Sequence, residues 1–325
     1  MEGNKGRVCV TGGTGYIASW LIMRLLENGY PVSTTMRSEP EHKKDVSFLT
    51  SLPGATQNLK IFNADLSNPE SFNAAIEGCT AVFHIAATID YAEREPEEIV
   101  TKKSIDAMLG ILKACQNIKT VKRVVYTSSA SAVAFSGKDD DTLDESFWSD
   151  LDFIRARMQP GASYAISKTL TERAALEFAE QNGMDVITIL PSYVVGPFIC
   201  SKLPGSVYVA LAILFGNKDI VEYPLHTVHV EDVARAFIFL LEHSNPKGRY
   251  LCSSEVVSIE RIFEFLSEKY PELEIPTLDS LKEIKCSKQI AIPSKKLMDS
   301  GFKFKKGFNE MYDEAIQCCK EKGYL

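Results

Sequence analysis

The stretch Thr11–Ser19, TGGTGYIAS, joins a short β-rich segment, RVCVT, to the apolar-periodic segment YIASWLIMRLLENG. Gly12 and Gly15 stand three residues apart, and the small residue Ala18 follows after another three. Glycine allows the tight turn from strand to helix and the close approach of a phosphate, while the helix N-terminus favours anions. Glycine turns alone occur in many loops, but this strand–turn–helix context predicts a dinucleotide-binding site.

Strand-like and helix-like segments alternate through the first 190 residues. The predicted further strands are PVSTTMR, LKIFNA, AVFHIAA, RVVYTSS and DVITILP, and the helical segments between them include HKKDVSFLTSL, PESFNAAIEG and SYAISKTLTERAALEFAEQNG. This alternation predicts βαβ units and therefore an α/β fold with a Rossmann-type, doubly wound parallel sheet.

The alternation ends after Pro191, where loops rich in proline and glycine separate shorter elements. We expect residues 1–190 to form a cofactor-binding domain, to which some later segments return. Residues 191–325 should then form mainly a smaller, substrate-binding lobe beside the open edge of the nucleotide site.

Composition narrows the class of partner. The chain has 325 residues, 45% of them apolar, and a formal net charge of −7, which disfavours nucleic acid or an anionic membrane as a partner. Its eight cysteines include no C-x-x-C pair, as is typical of reduced thiols in a cytoplasmic protein. The first strand begins too early for a signal peptide, and no apolar run is long enough to span a bilayer. We expect a cytoplasmic protein that acts on a small molecule and has no metal site.

The end of the second predicted strand carries Arg37, with Lys43 and Lys44 close behind. Proteins that bind NAD usually place an acidic residue there for the ribose hydroxyls, whereas a guanidinium suits a 2′-phosphate. The sequence therefore predicts NADPH/NADP⁺ as cofactor, the alternative being a solvated basic patch. Asp65 follows the third strand, where adenine would lie, and it could equally cap the helix after it.

Two further segments carry candidate catalytic groups. YTSS ends the fifth strand with Ser129, and SYAISK opens the next long helix with Tyr164 and Lys168 one turn apart. In a doubly wound sheet these three side chains can converge beside the nicotinamide. A nearby ammonium would lower the tyrosine pKa for proton transfer, and the serine hydroxyl would stabilise charge on a carbonyl oxygen. The alternative is a tyrosine in the core and a lysine that reaches solvent.

Together, TGGTGYIA, YTSS and YAISK resemble the extended short-chain dehydrogenase/reductases. VFHIAA, DESFWSD, PSYVVGPFI and KGRYLCSS are similar to segments of the plant dihydroflavonol reductase group. The resemblance covers nearly the whole chain. It implies an NADPH-dependent carbonyl reductase of plant specialised metabolism, monomeric or weakly dimeric, with Ser129, Tyr164 and Lys168 as the catalytic triad. By the same resemblance the cofactor would be bound by Gly12, Gly15, Tyr16, Ile17, Arg37, Lys44, Asp65, Leu66, Ala86, Thr88, Tyr164, Lys168, Pro191 and Val194.

The sequence departs from that group where its members contact substrate. Ala134 replaces a usual asparagine, Thr88 follows Ala86 and Ala87 where the group carries a proline after its threonine, and His226 replaces a usual glutamine. His226 could hydrogen-bond substrate or could simply be a polar residue on a strand. Ile89, Phe198 and Tyr208 are candidates to line an apolar substrate mouth.

These departures make dihydroflavonols less suitable as substrates than isoflavanones such as vestitone. A second possibility is an alkaloid carbonyl or hemiacetal. A sugar-nucleotide epimerase and a catalytically silent NADPH-binding sensor are further alternatives, the first disfavoured by Arg37 and the second by the intact triad.

Overall fold

The computed structural model describes residues 5–37, 45–87, 95–138, 140–157, 161–217, 223–277 and 290–325. Three of the predicted site residues, Lys44, Thr88 and Ile89, lie outside the described residues.

A seven-stranded parallel sheet forms the centre of the protein, in the order β3-β2-β1-β4-β5-β6-β9. Its strands are β1 Val8–Val10, β2 Val32–Met36, β3 Leu59–Asn63, β4 Ala81–His84, β5 Arg123–Thr127, β6 Val186–Pro191 and β9 Gly248–Cys252. The strand order reverses between β1 and β4, so the ligand crevice of such a sheet lies at the carboxyl ends of these two strands. The predicted doubly wound sheet is confirmed.

Helices cover both faces of this sheet, which is why β1, β4 and β6 are buried along their whole length. Helices α1 and α9 pack together on one face, and α5 and α7 pack together on the other. The described α-helices are α1 Tyr16–Glu27, α2 Ser47–Thr50, α3 Ala55–Asn58, α4 Asn73–Ile76, α5 Glu97–Asn117, α6 Leu151–Arg157, α7 Ala162–Asn182, α8 Gly205–Ala210, α9 Val230–Glu242, α10 Ile259–Lys269, α11 Lys295–Asp299 and α12 Phe308–Glu321.

Two predicted helices are shorter than the sequence suggests. The described part of HKKDVSFLTSL is helical only over α2, and PESFNAAIEG is a 3₁₀ turn, Pro69–Phe72, followed by the single turn α4. Gly78 follows α4 with φ +71°, a conformation that ends a helix.

The second half of the chain builds a three-stranded sheet in the order β10-β8-β7. β7 spans Tyr193–Val195, β8 spans Leu225–His229 and β10 spans Glu255–Val257. A separate apolar cluster surrounds it and includes side chains of α8, α10 and α12. β9, however, pairs with β6 of the large sheet, as expected if later segments return to the cofactor domain. The domain division near residue 190 stays a prediction. Within the described ranges, no helix has the length and apolar content needed to cross a membrane.

The glycine turn after β1 generates a stability prediction. Gly12 and Gly29 both have positive φ, +73° and +76°, so alanine at either position costs about 1–2 kcal/mol of backbone strain. An added Cβ on Gly12 would lie 3.1 Å from Ala86, whereas one on Gly29 would meet nothing within 4 Å. We expect Gly12→Ala to lower the free energy of unfolding in urea by about 1–3 kcal/mol more than Gly29→Ala. Equal losses would show that the Ala86 contact adjusts without cost.

Candidate active site

The turn after β1 leaves the start of α1 open to an anionic ligand. Gly15 is the N-cap of α1, and in the described part of the chain no side chain caps this end and no acidic residue lies in the first turn. The Gly12 N–H donates to the Thr35 hydroxyl at 3.1 Å, which ties the turn to β2. The N–H groups of the first helical turn are therefore available to a phosphate, which the helix dipole also favours.

Gly13, which the sequence analysis did not single out, has its own packing requirement. A Cβ at this position would lie 2.2 Å from the Thr34 hydroxyl oxygen. That hydroxyl is held in place because it donates to the Val10 carbonyl oxygen at 2.7 Å. The second glycine of TGG is therefore required for contact between the turn and β2. The two adjacent glycines in the sequence are the pattern from which this requirement could have been predicted.

Arg37 and Asp65 meet at the ends of β2 and β3. The Arg37 Nε lies 3.2 Å from Asp65 Oδ2, and both side chains are about half exposed. Asp65 Oδ1 accepts from the Ser67 hydroxyl and from the Ser67 N–H at 2.7 and 2.8 Å. These hydrogen bonds, with a smaller contribution from Arg37, lower the pKa of Asp65. The 3₁₀ turn that follows has Asn68 as its N-cap, and among the described residues no side chain caps it, so the capping role foreseen for Asp65 is not present. Asp65 instead binds Ser67 through Oδ1, and its second oxygen is directed at Arg37.

His84 is a buried member of the site that the sequence analysis missed. The Thr11 hydroxyl oxygen accepts from the N–H groups of Ile85 and Ala86, each at 3.0 Å, and lies 3.0 Å from His84 Nδ1. With both lone pairs of the oxygen engaged, its hydrogen is donated to Nδ1, which assigns the ring hydrogen to Nε2. Burial, with the nearby Lys168 charge, lowers the pKa of His84 to about 3. The ring is therefore neutral near pH 7.

Lys168 is a buried cation on α7. Its side chain is 8% exposed, and Nζ donates to the Thr127 carbonyl oxygen, at the end of β5, at 2.9 Å. Nζ also lies 6.0 Å from the ring centroid of Tyr164 and 5.4 Å from that of Tyr126. Burial lowers the pKa of Lys168 to about 8, and the charge of Glu172 partly opposes this shift.

A cleft at the carboxyl ends of β4 and β5 brings several predicted residues together. Its lining consists of Leu66, His84, Ala86, Ala87, Ser104, Ala107, Tyr126, Tyr164, Ser167, Lys168 and Thr171. Ser129 follows β5 and caps a 3₁₀ turn, Ala130–Ala132, because its Oγ accepts the Ser131 N–H at 3.2 Å. This turn packs against α7, so the strand end with Ser129 adjoins the helix with Tyr164 and Lys168.

The residues predicted near the nicotinamide and substrate are distributed over β6, β7, α8 and the segment after the 3₁₀ turn. Pro191 ends β6 and Val194 lies in β7, both buried. Ala134 lies two residues after the end of the 3₁₀ turn, and its N–H donates to the Ala130 carbonyl oxygen at 2.9 Å. Tyr208 is half buried on α8, where its hydroxyl accepts from Asn217 Nδ2 at 3.2 Å.

Phe198 and His226 are held by protein contacts. Phe198 is buried, and its ring centroid lies 6.4 Å from that of Tyr16 and 6.0 Å from that of Tyr324. His226 is half buried on β8, where burial lowers its pKa and a hydrogen bond with the backbone of Ile290 opposes that shift. This bond favours the structural interpretation of His226, while substrate roles for both residues stay predictions.

Sequence comparison places the chain in a known family. Residues 8–252, which are more than half of the chain, match the NAD dependent epimerase/dehydratase family. The chain therefore belongs to this family. Within this family it is an oxidoreductase of the plant dihydroflavonol reductase group, as its motifs predicted.

Three relatives define that position. Vestitone reductase from Medicago sativa is 59% identical over 326 residues and covers 100% of each chain. Its crystal structure matches with a TM-score of 0.89 at 57% identity, covering 99% of this chain and 100% of that one. Noscapine synthase from Papaver somniferum is 49% identical, covering 100% of this chain and 95% of the relative. A dihydroflavonol 4-reductase from Arabidopsis thaliana is 45% identical, with 100% and 85% covered.

The pKa of Lys168 generates a prediction on pH dependence. This pKa is lowered from 10.5 to about 8, so the side chain is an ammonium below about pH 8 and neutral above it. Because kcat/KM reports groups of the free enzyme, kcat/KM for NADPH should decline about tenfold per pH unit above about 8. A Lys168→Met variant should not show this decline in kcat/KM above pH 8.

Unfolding caused by the titration of Lys168 would not explain such a decline in kcat/KM. A lysine whose pKa is lower in the folded state adds stability as pH rises from about 8 towards 10.5, so this group favours the fold in that range. Circular dichroism at pH 9 checks that the enzyme remains folded. A flat kcat/KM between pH 7 and 10 would contradict the prediction.

Proposed function

We propose that this protein is an NADPH-dependent carbonyl reductase of plant specialised metabolism that acts on a bulky aromatic ketone of the isoflavanone type. The observation that carries the proposal is the buried Lys168 ammonium, held on the end of β5 beside Ser129 and one helical turn from Tyr164. A buried cation next to a phenol at the crevice of a doubly wound sheet suits proton transfer to a carbonyl.

The residues present fit NADPH. The uncapped start of α1 suits the pyrophosphate, and the half-exposed Arg37 suits the 2′-phosphate, because a guanidinium pairs with phosphate oxygens. Asp65 and Leu66 would lie beside adenine, Lys168 at the ribose hydroxyls, and the backbone of Pro191 and Val194 at the nicotinamide. When bound, the cofactor supplies the hydride that the carbonyl carbon receives.

The chain's own groups manage the proton and the charge on oxygen. Tyr164 donates its hydroxyl proton to the carbonyl oxygen, and the Lys168 ammonium stabilises the phenolate that remains. Ser129 Oγ accepts the Ser131 N–H, so its hydroxyl hydrogen can donate to the same carbonyl oxygen. Because His84 is neutral, it adds no second positive charge beside Lys168. The pKa of Lys168 is therefore not lowered further by repulsion from His84.

The relatives support the substrate class. Vestitone reductase, with 59% identity over the full length, favours an isoflavanone. Ala134 provides no hydrogen-bonding side chain for ring hydroxyls, which favours less hydroxylated ketones over dihydroflavonols. The similarity to noscapine synthase supports a second candidate, an alkaloid carbonyl or hemiacetal.

A sugar-nucleotide epimerase receives less support because the Arg37 guanidinium disfavours NAD as cofactor. Cytoplasmic location and a monomeric or weakly dimeric state stay predictions.

The role of Arg37 is testable through cofactor choice. Replacing Arg37 by leucine should lower kcat/KM for NADPH about 10–100-fold, because the partner of the 2′-phosphate is lost. Turnover with NADH, which lacks that phosphate, serves as the internal control and should change less than threefold. An equal loss with both cofactors would assign Arg37 to the fold, through Asp65, and not to cofactor choice.

The proposed reaction is tested by NADPH oxidation with a panel of isoflavanones, dihydroflavonols and alkaloid carbonyls. Turnover should be fastest with an isoflavanone, and turnover with only an alkaloid carbonyl would establish the second candidate. Tight NADPH binding without turnover of any carbonyl would overturn the proposal in favour of the silent sensor.

The same assay identifies the proton donor. Tyr164→Phe should lower kcat at least 100-fold with little change in the Kd for NADPH, because only the transferable proton is removed. Tyr126→Phe is the matched control, since its ring lies as close to Lys168 but on β5. Undiminished turnover by Tyr164→Phe would refute the assignment.

A further inference from the structure

A buried ion pair lies directly behind the candidate catalytic residues. Glu172 stands one helical turn beyond Lys168 on α7, with its side chain 0% exposed. Its carboxylate accepts four hydrogen bonds: from Ser128 Oγ at 2.7 Å, from Thr188 Oγ1 at 2.5 Å, and from Arg249 Nε and Nη2 at 3.0 and 3.2 Å. The side-on contact with Arg249 is bidentate, which fixes orientation as well as distance.

Arg249, on β9, uses all its N–H groups. Besides the two that bind Glu172, Nη1 donates to the carbonyl oxygens of Glu145 and Phe147, and Nη2 approaches that of Ala132 at 3.5 Å. The ring of Trp148 lies over the guanidinium, 3.6 Å from centroid to Cζ, and shields the pair from water. Neither group is assigned a contact with substrate or cofactor in the proposed reaction, although the Glu172 charge favours the ammonium form of Lys168.

The pair contacts both ends of the segment that carries Ser129. Ser128 immediately precedes it, and in extended backbone successive side chains point to opposite sides. The Ser128 hydroxyl bonds Glu172, which leaves Ser129 on the opposite side of the chain. Ala132, whose carbonyl approaches Arg249, ends the 3₁₀ turn that Ser129 caps.

We propose that Glu172 and Arg249 are positioning residues that set the place of Ser129 relative to Tyr164 and Lys168. α7 is attached to the end of β5 at two successive residues, through Lys168 to Thr127 and through Glu172 to Ser128. Loss of the second attachment lets the Ser129 segment move away from the helix. Misplacement of a catalytic group by about 1 Å can cost about 100-fold in rate, so even a partial shift is measurable. This inference rests on the proposed carbonyl reductase activity.

A purely structural role is the competing explanation, since breaking a buried ion pair by itself destabilises a fold. Two single variants separate the roles because each removes one hydroxyl donor from the same carboxylate. Ser128→Ala removes the donor next to Ser129. Thr188→Val removes the donor on β6 and preserves side-chain shape. Thr188 itself belongs to neither the proposed catalytic triad nor the proposed cofactor site.

For Ser128→Ala we expect kcat to fall about tenfold, with KM for NADPH within about twofold of wild type and Tm nearly unchanged. Thr188→Val should keep the wild-type kcat, whatever its effect on Tm. Equal kcat values for Ser128→Ala and wild type would overturn the inference. So would equal losses of kcat in both variants, because the pair would then support the fold in general.

A double variant covers the case in which Ser128→Ala does not fold. Glu172→Gln combined with Arg249→Met removes both charges together and so leaves no unpaired buried ion. We expect a folded protein that binds NADPH with wild-type Kd but retains a tenth or less of the wild-type kcat. Full kcat in this variant would overturn the inference. Absence of turnover by the wild-type enzyme would instead refute the proposed function.

Discussion

The hydrogen bond from the Lys168 ammonium to the Thr127 carbonyl oxygen joins the two elements from which the site is built. It connects the carboxyl end of β5, a central strand of the sheet, to the second turn of α7. A buried ammonium needs such a partner, because its desolvation is costly and the carbonyl oxygen returns part of the lost hydration. The position of Tyr164, one turn earlier on the same helix, follows from this contact.

Charge is distributed around this bond so that, among the described residues that line the cleft, Lys168 is the one cation. His84 would add a second, but burial and the nearby Lys168 charge lower its pKa and keep its ring neutral. The charge of Arg249 is matched by Glu172 on the far side of Ser128. Glu172 also favours the charged form of Lys168. Lys168, the proposed catalytic lysine, and Glu172, the acidic member of the ion pair, therefore stand one turn apart on α7 without competing for the same partner.

The cofactor side of the site depends on backbone more than on side chains. Gly12 and Gly13 allow the turn to lie against Ala86 and Thr34, and Gly15 begins α1 without a side-chain cap among the described residues. The cationic contribution comes from Arg37, which Asp65 holds at the ends of β2 and β3. The N–H groups proposed to bind the pyrophosphate and the guanidinium proposed to select NADPH therefore lie at different places along the crevice.

The sequence by itself determined the doubly wound sheet, the glycine turn and the family, because strand–helix alternation and the motifs TGGTGYIA, YTSS and YAISK are local patterns. It also named Arg37, Tyr164 and Lys168, whose chemistry is specific to their motifs. Only the tertiary structure decided that His84 is neutral, that His226 bonds the backbone of Ile290, and that Glu172 pairs with Arg249. These facts depend on contacts between residues up to 77 positions apart in the chain, and on burial, neither of which a local pattern encodes.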